Sequence, residues 1–227
     1  MRSADTGFLQ RPAEVDGTRY AYTAYVPPDY DPSRRWPTIL FLHGVGERGS
    51  DGIRSATTGL GNAIRKAPER VPAVVVFPQV PANMSWAGEP GEAAMAALDA
   101  SMREFHGDPD RVYLTGLSMG GYGAWYLALA HPDRFAALVV VCGGLGLRQP
   151  DRYAFAARTL RHLPIRIYHG DDDQIVPVTE SRRMHEALRR EGADVQYTEY
   201  AGVGHDSWTP AYAEPELWPW LFAQRRS

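Results

Sequence analysis

Five short apolar runs constrain this chain more than any other feature: "TILFLHG", "AVVVFPQ", "RVYLTG", "ALVVVCGG" and "IRIYHG", most of them closed by glycine or proline. A strand with one wet face alternates apolar and polar residues. A continuous apolar run marks a strand covered on both faces, as a parallel sheet requires. Segments of helical periodicity separate the runs. "GEAAMAALDASMREFHG" puts Ala94, Leu98, Met102 and Phe105 on one stripe. "GYGAWYLALAHPDRF" stops at His131, ahead of Pro132. "PVTESRRMHEALRREG" carries proline just inside its start and glycine just past its end. A last strand, "DVQYTEY", and a tryptophan-rich helical tail, "EPELWPWLFAQRR", follow. This alternation predicts an α/β protein whose mostly parallel central sheet has helices on both faces.

The opening third reads differently. In "GFLQRPAEVDGTRYAYTAYVPPDY" a "DG" turn signal precedes the alternation Tyr20, Tyr22, Ala24, Val26, which predicts an antiparallel hairpin. The proline-rich "VPPDYDPSRRWP" then ends the pairing. No repeat or linker divides the 227 residues, so the expectation is one domain over residues 1–227. A net charge of −3 without a basic run gives no footing for nucleic acid. The single cysteine, Cys142, excludes an internal disulfide and a cysteine-built metal site, and reads as a small buried hydrophobe. No stretch has signal-peptide or membrane-spanning character, so a cytoplasmic protein without membrane association is expected; a mature secreted form would read the same way.

Open α/β sheets bind ligands beyond the carboxyl ends of their strands. There the chain places "GLSMG", the pattern Gly-x-Ser-x-Gly, between "RVYLT" and "YGAWYLALA". That pattern carries weight only between a strand and a helix, which is where it falls. Gly116 and Gly120 would allow a sharp bend presenting the Ser118 hydroxyl at the positive end of a helix. An idle serine in a structural turn is the bland alternative.

A serine hydroxyl needs a base, and the base needs an orienting group. Of seven histidines, His106, His131, His162 and His185 read as exposed or capping residues. His43 and His169 follow apolar strands in His-Gly pairs and read as partners of loop backbone groups. His205, in "YAGVGHDSW", lies on a glycine-rich loop just after the last strand and is the candidate base. "IYHGDDDQIVP" offers Asp171, Asp172 and Asp173 as the acid, one of which could instead cap the helix near Pro177; spacing alone does not choose. The order Ser, Asp, His is that of the α/β-hydrolase arrangement.

These residues resemble the α/β-hydrolase superfamily, in its lidless carboxylesterase branch near polyhydroxybutyrate-depolymerase-like and feruloyl-esterase-like proteins. The likeness runs through "YVPPDYDPSRRWPTILFLHGVGERGSDG", "VVFPQ", "GLSMGGYGAW", "HGDDDQIVP" and "GVGHDSW". It implies Asp173 as the acid, because it stands three before the valine of "DQIVP". It also implies an oxyanion hole from the backbone N–H groups of Val45 and Met119. By the same likeness Trp86 would border the substrate cleft; packing its loop against the core is the equal alternative. Trp208 reads as a packing residue. Glu47 and Arg48 would stiffen their loop as a pair, or stay solvated.

The interval "GGLGLRQPDRYAFAARTLRHLP" is too short for a cap domain, which implies an open, shallow site for short acyl or aryl esters. The expectation is therefore a serine carboxylesterase acting on a small-molecule ester, using Ser118, His205 and Asp173 with no metal and no cofactor. The same machinery serves a peptidase or a thioesterase, and the fold alone also serves a non-catalytic binding module.

Overall fold

The apolar runs become the interior of one sheet. The computed structural model describes residues 5–15, 17–146, 149 and 151–226. Its eight strands are β1 (Gly7–Val15), β2 (Thr18–Val26), β3 (Trp36–Leu42), β4 (Val74–Pro78), β5 (Gly107–Leu117), β6 (Ala137–Val141), β7 (Ile165–Gly170) and β8 (Val195–Tyr200). They lie in the order β1-β2-β4-β3-β5-β6-β7-β8. β1 and β2 form the expected antiparallel hairpin, and β2 joins β4 antiparallel. Every other pairing is parallel. Of the "DG" turn signal, Asp16 lies outside the described residues; Gly17 has a φ of 78°.

Burial follows the sheet's two faces. β3, β4, β6 and β7 are buried along their whole length, whereas the edge strand β8 has no buried residue, only intermediate and exposed ones. Along β3, Leu40 and Leu42 enter one apolar cluster and Ile39 and Phe41 the other. The first cluster is covered by α2 (Glu89–Glu104), α3 (Met119–Ala130), α4 (Arg152–Leu160) and α5 (Thr179–Arg190). The second is covered by α1 (Leu60–Lys66), α6 (Trp208–Ala213) and α7 (Leu217–Ala223). A buried strand of this kind contributes through every side chain, at roughly 1.5–3 kcal/mol for each large aliphatic group removed from water.

Two helical details depart from expectation. Pro177 precedes α5 instead of lying inside it: the helix starts at Thr179, and the Pro177 carbonyl accepts the Glu180 N–H in the lead-in turn. The interval between β6 and β7 holds α4, whose Ala156, Ala157 and Leu160 are buried in the core. Residues 147, 148 and 150 of that interval lie outside the described residues.

Candidate active site

The bend between β5 and α3 is set by backbone crowding. A Cβ on Gly116 would lie 2.2 Å from the Gly120 carbonyl oxygen, and one on Gly120 would lie 1.9 Å from the Leu42 carbonyl oxygen. Only glycine allows strand and helix to approach so closely. Between them Ser118 takes φ 53° and ψ −120°, a left-handed backbone that costs a non-glycine residue on the order of 1–3 kcal/mol. Its N–H donates to the Val141 carbonyl at 3.0 Å, and its own carbonyl accepts the Tyr122 N–H at 3.1 Å. The bend is held from both sides.

Two further loops meet this hydroxyl. After β7, Asp171 N–H donates to the Tyr200 carbonyl, and Asp172 N–H to the Val203 carbonyl, both at 3.1 Å. The Asp171 carboxylate in turn accepts the Gly202 N–H at 2.7 Å. These bonds lock the β7 and β8 loops together and bring His205 over Asp173. His205 Nδ1 donates to Asp173 Oδ2 at 2.7 Å, and His205 Nε2 lies 2.9 Å from Ser118 Oγ. With Nδ1 facing a carboxylate, the proton sits on Nδ1, and Nε2 is free to accept the serine proton. Ser118, His205 and Asp173 thus form one continuous hydrogen-bonded chain. The three aspartates separate cleanly: Asp171 ties the loops, Asp172 points outward to Gln174, and none of them caps α5.

Asp173 is buried, with its side chain 0% exposed. Burial alone would push its pKa up. The His205 hydrogen bond and the N–H groups of Val176 and Ile175, at 2.9 Å and 2.8 Å, outweigh that and hold it below the usual carboxylate range. The acid is therefore kept charged in a dry site. His205 rests edge-on against Trp208, with ring centroids 5.3 Å apart.

Val45 and Met119 are first residues of a 3₁₀ turn (Val45–Glu47) and of α3, positions whose N–H groups have no acceptor within the helix. Gly44 brings the first loop beside Ser118, since a Cβ there would lie 3.7 Å from the Ser118 Cβ. Arg48 does not pair with Glu47. Its guanidinium donates to Met119 Sδ at 3.1 Å, while Glu47 accepts from Thr58 at 3.0 Å. Gln79 braces this loop, donating to the Glu47 carbonyl at 2.9 Å and accepting the Gly52 N–H at 2.7 Å. Neither contact is visible in local sequence.

Trp86 packs its loop against the core. It is buried, donates its indole N–H to the His43 carbonyl at 3.0 Å, and packs on Gly123; it also lines a cleft that contains Ser118. The cleft has a volume of about 820 Å³. It follows one face of α3 through Met119, Tyr122, Tyr126 and Leu129, opposite Phe155 and Ile175. At 1.5 Å per residue it runs about 16 Å along the helix, so it is a groove more than a shallow dish. Tyr126, Phe155 and Ile175 leave 38%, 41% and 70% of their surface exposed there.

His43 and Cys142 are buried structural groups, as their places in the sequence predict. His43 is fully buried; its Nε2 accepts the Val80 N–H at 3.0 Å and its Nδ1 faces the Gly44 carbonyl at 2.6 Å. Burial lowers its pKa to about 4. Cys142 is buried beneath the triad, and burial pushes its thiol up to about 12. Its sulfur, a carboxylate oxygen of Asp173 and a ring nitrogen of His205 lie within 4.8 Å of one another. That donor set is a poor fit for a metal, because the thiol keeps its proton and the Asp173 oxygens already accept N–H groups.

Comparison with known proteins agrees with this fold. The structure superposes on a thermostable esterase at TM-score 0.87 and 33% identity, covering 96% of this chain and 63% of that one. Over 153 residues the sequence is 29% identical to a poly(3-hydroxyoctanoate) depolymerase of Pseudomonas fluorescens, covering 58% of this chain and 53% of the relative. Over 204 residues it is 24% identical to acyl-protein thioesterase 1 of Neurospora crassa, covering 77% and 82%. Several other curated relatives are much longer than the matched region, which covers 20–51% of their length. The phospholipase/carboxylesterase family model matches residues 95–213, from α2 through the loop of His205 to the end of α6. On that match and this fold, the chain belongs to the phospholipase/carboxylesterase family of α/β-hydrolases.

Proposed function

We propose that this chain is a serine carboxylesterase that hydrolyses short-chain acyl or aryl esters through an acyl-enzyme. The observation that carries the reading is the unbroken Ser118–His205–Asp173 hydrogen-bond chain at the mouth of an apolar groove. Ser118 Oγ attacks the ester carbonyl as its proton passes to His205 Nε2. Asp173 keeps the imidazole oriented and stabilises the imidazolium. The Val45 and Met119 N–H groups receive the developing alkoxide; one such donor is worth about 3 kcal/mol in related chemistry. His205 then gives its proton to the departing alcohol. In the second half, His205 takes a proton from water, the hydroxide cleaves the acyl-serine, and Ser118 regains its proton. No metal or organic cofactor is needed for these steps.

The groove supports ester substrates with an apolar arm. An extended chain advances about 3.5 Å per three bonds, so about 16 Å accommodates an aryl group or a chain of roughly a dozen bonds. Similarity to an acyl-protein thioesterase supports thioester cleavage as a second reading. The deciding experiment has two parts. A fluorophosphonate probe should label the native protein at Ser118 and not Ser118→Ala. Rates on matched ester, thioester and amide substrates of equal acyl length should then favour the ester. An unlabelled native protein defeats the serine-hydrolase reading, and a thioester preference replaces the ester with the second reading.

A further inference from the structure

The triad acid has a second imidazole partner that the mechanism above does not use. His169, on β7, is fully buried, and its Nε2 lies 3.1 Å from Asp173 Oδ2, the same oxygen that His205 engages. That nitrogen also lies 3.0 Å from the Val176 carbonyl oxygen. Both neighbours of Nε2 only accept, so Nε2 carries the proton. Nδ1 is then bare, and it lies 2.7 Å from Ser181 Oγ on α5, whose hydroxyl donates to it. The tautomer is fixed from both ends.

We propose that His169 is a positioning residue for the reaction, a neutral Nε2–H donor, held by Ser181, that orients the Asp173 carboxylate and tempers its charge toward His205. The inference rests on the serine-hydrolase reading, and two physical effects support it. Asp173 Oδ1 is pinned by the N–H groups of Ile175 and Val176, and His169 pins the far side of Oδ2, so the carboxylate plane cannot rotate away from His205. Second, an oxygen that shares its charge with another donor stabilises the His205 imidazolium less.

The surroundings leave His169 little freedom to act as an acid or base itself. Burial lowers its pKa, against the Val176 and Asp173 contacts that favour its charged form. Just past β6, burial raises the Cys142 thiol and it stays protonated. From β8, Glu199 is held to about 2, first by its hydrogen bond from Arg182. From α3, burial raises the Tyr122 hydroxyl above its usual range. Asp206, just past His205, is exposed and accepts from Thr209.

The test uses the pH dependence of kcat/KM on p-nitrophenyl acetate together with imidazole NMR. His169→Leu removes the donor; the acid limb, set by His205, should move up by about half to one pH unit, and kcat at pH 8 should fall about tenfold. His169→Gln, whose amide N–H can reach Asp173, should bring the limb back toward the native position. Ser181→Ala should shift it in the same direction as His169→Leu but by less. In the native protein, 15N spectra should show His169 as the neutral Nε2–H form from pH 5 to 9, a readout that needs neither activity nor a variant. A folded His169→Leu with an unmoved limb and native kcat overturns the inference, as does an Nδ1–H or charged His169 in the native spectra. Equal losses in the Leu and Gln variants without a limb shift would reduce His169 to packing. A native protein with no esterase activity and no Ser118 labelling instead defeats the reading beneath it.

Discussion

On one side of Ser118 the side chains are polar, buried and partnered; on the other they are apolar and open to water. The first flank holds Asp173 and His169, with no exposed side-chain surface, beside a His205 side chain that is 22% exposed. The second holds Tyr126, Phe155 and Ile175, among the most exposed large apolar residues described. Buried polar groups without partners cost about 1–3 kcal/mol each, so a polar flank is stable only when nearly every donor and acceptor is matched, which fixes its geometry. Apolar surface has no such directional demand. The polar flank is thus specified atom by atom, while the groove specifies little beyond width and length.

The contrast is broken most severely at its junction. Ser118→Ala should lower kcat by about 10⁴-fold or more while the circular dichroism spectrum and unfolding midpoint stay native-like. A folded variant with near-native turnover would falsify the assignment of the nucleophile. On the polar flank, Asp173→Asn should cost roughly 10³–10⁴-fold, because an amide N–H turned toward His205 favours the wrong tautomer. A loss below tenfold would mean that the acid is not orienting the base.

The polar flank and the wall behind it also make stability depend on pH. His43 titrates near 4 when folded, against 6.5 for a free imidazole. Between those values the unfolded chain binds more protons, so stability rises with pH and is lost as pH falls from about 6.5 toward 4. The shift corresponds to about 3 kcal/mol at the acid end, and His169, also lowered by burial, acts in the same direction. Asp173, held below its usual range, loses its contribution only at still lower pH, as it takes up a proton. Urea unfolding at pH 7.0, 5.5 and 4.5 should show this decline, with the His43 Cε1–H signal not titrating above pH 5. A flat stability profile across that range would contradict the burial argument.

The same contrast explains what was legible in the sequence. Buried parallel strands announce themselves because every position must be apolar, so "TILFLHG" and "ALVVVCGG" located β3 and β6 directly. The short helices α1, α4 and α6 escaped notice: α1 begins in "GLGNAIRK" and α6 contains Pro210, weak formers whose helicity comes from packing on the sheet. Ser118 and His205 stood out by motif and by loop position. Among Asp171, Asp172 and Asp173, by contrast, composition is identical, and only the resemblance distinguished them. The physical difference is a turn in which Asp173 Oδ1 accepts two backbone N–H groups while Asp171 reaches across to Gly202. The His-Gly pair predicts His169 as a partner of loop backbone, and its contact with the Val176 carbonyl bears that out. Its contacts with Asp173 and Ser181 depend on how α5 packs against β7, and local sequence carries no such information.

The apolar flank should yield the smallest effects, and they should depend on the substrate. Tyr126 lies about 10 Å along α3 from Met119, so an acetyl group attached to Ser118 does not reach it, whereas the end of an octanoyl chain does. Truncation to alanine removes apolar wall worth about 1 kcal/mol to a chain that touches it. The expected outcome for Tyr126→Ala is a five- to tenfold fall in kcat/KM for p-nitrophenyl octanoate, carried mainly by KM, with p-nitrophenyl acetate unchanged. Because Tyr126 also accepts the Gly88 N–H at 3.2 Å, Tyr126→Phe serves as the control and should behave like the native enzyme on both esters. Equal losses on acetate and octanoate would place the defect in the scaffold instead of the groove. No loss on octanoate would mean that the acyl chain leaves Ser118 by another path.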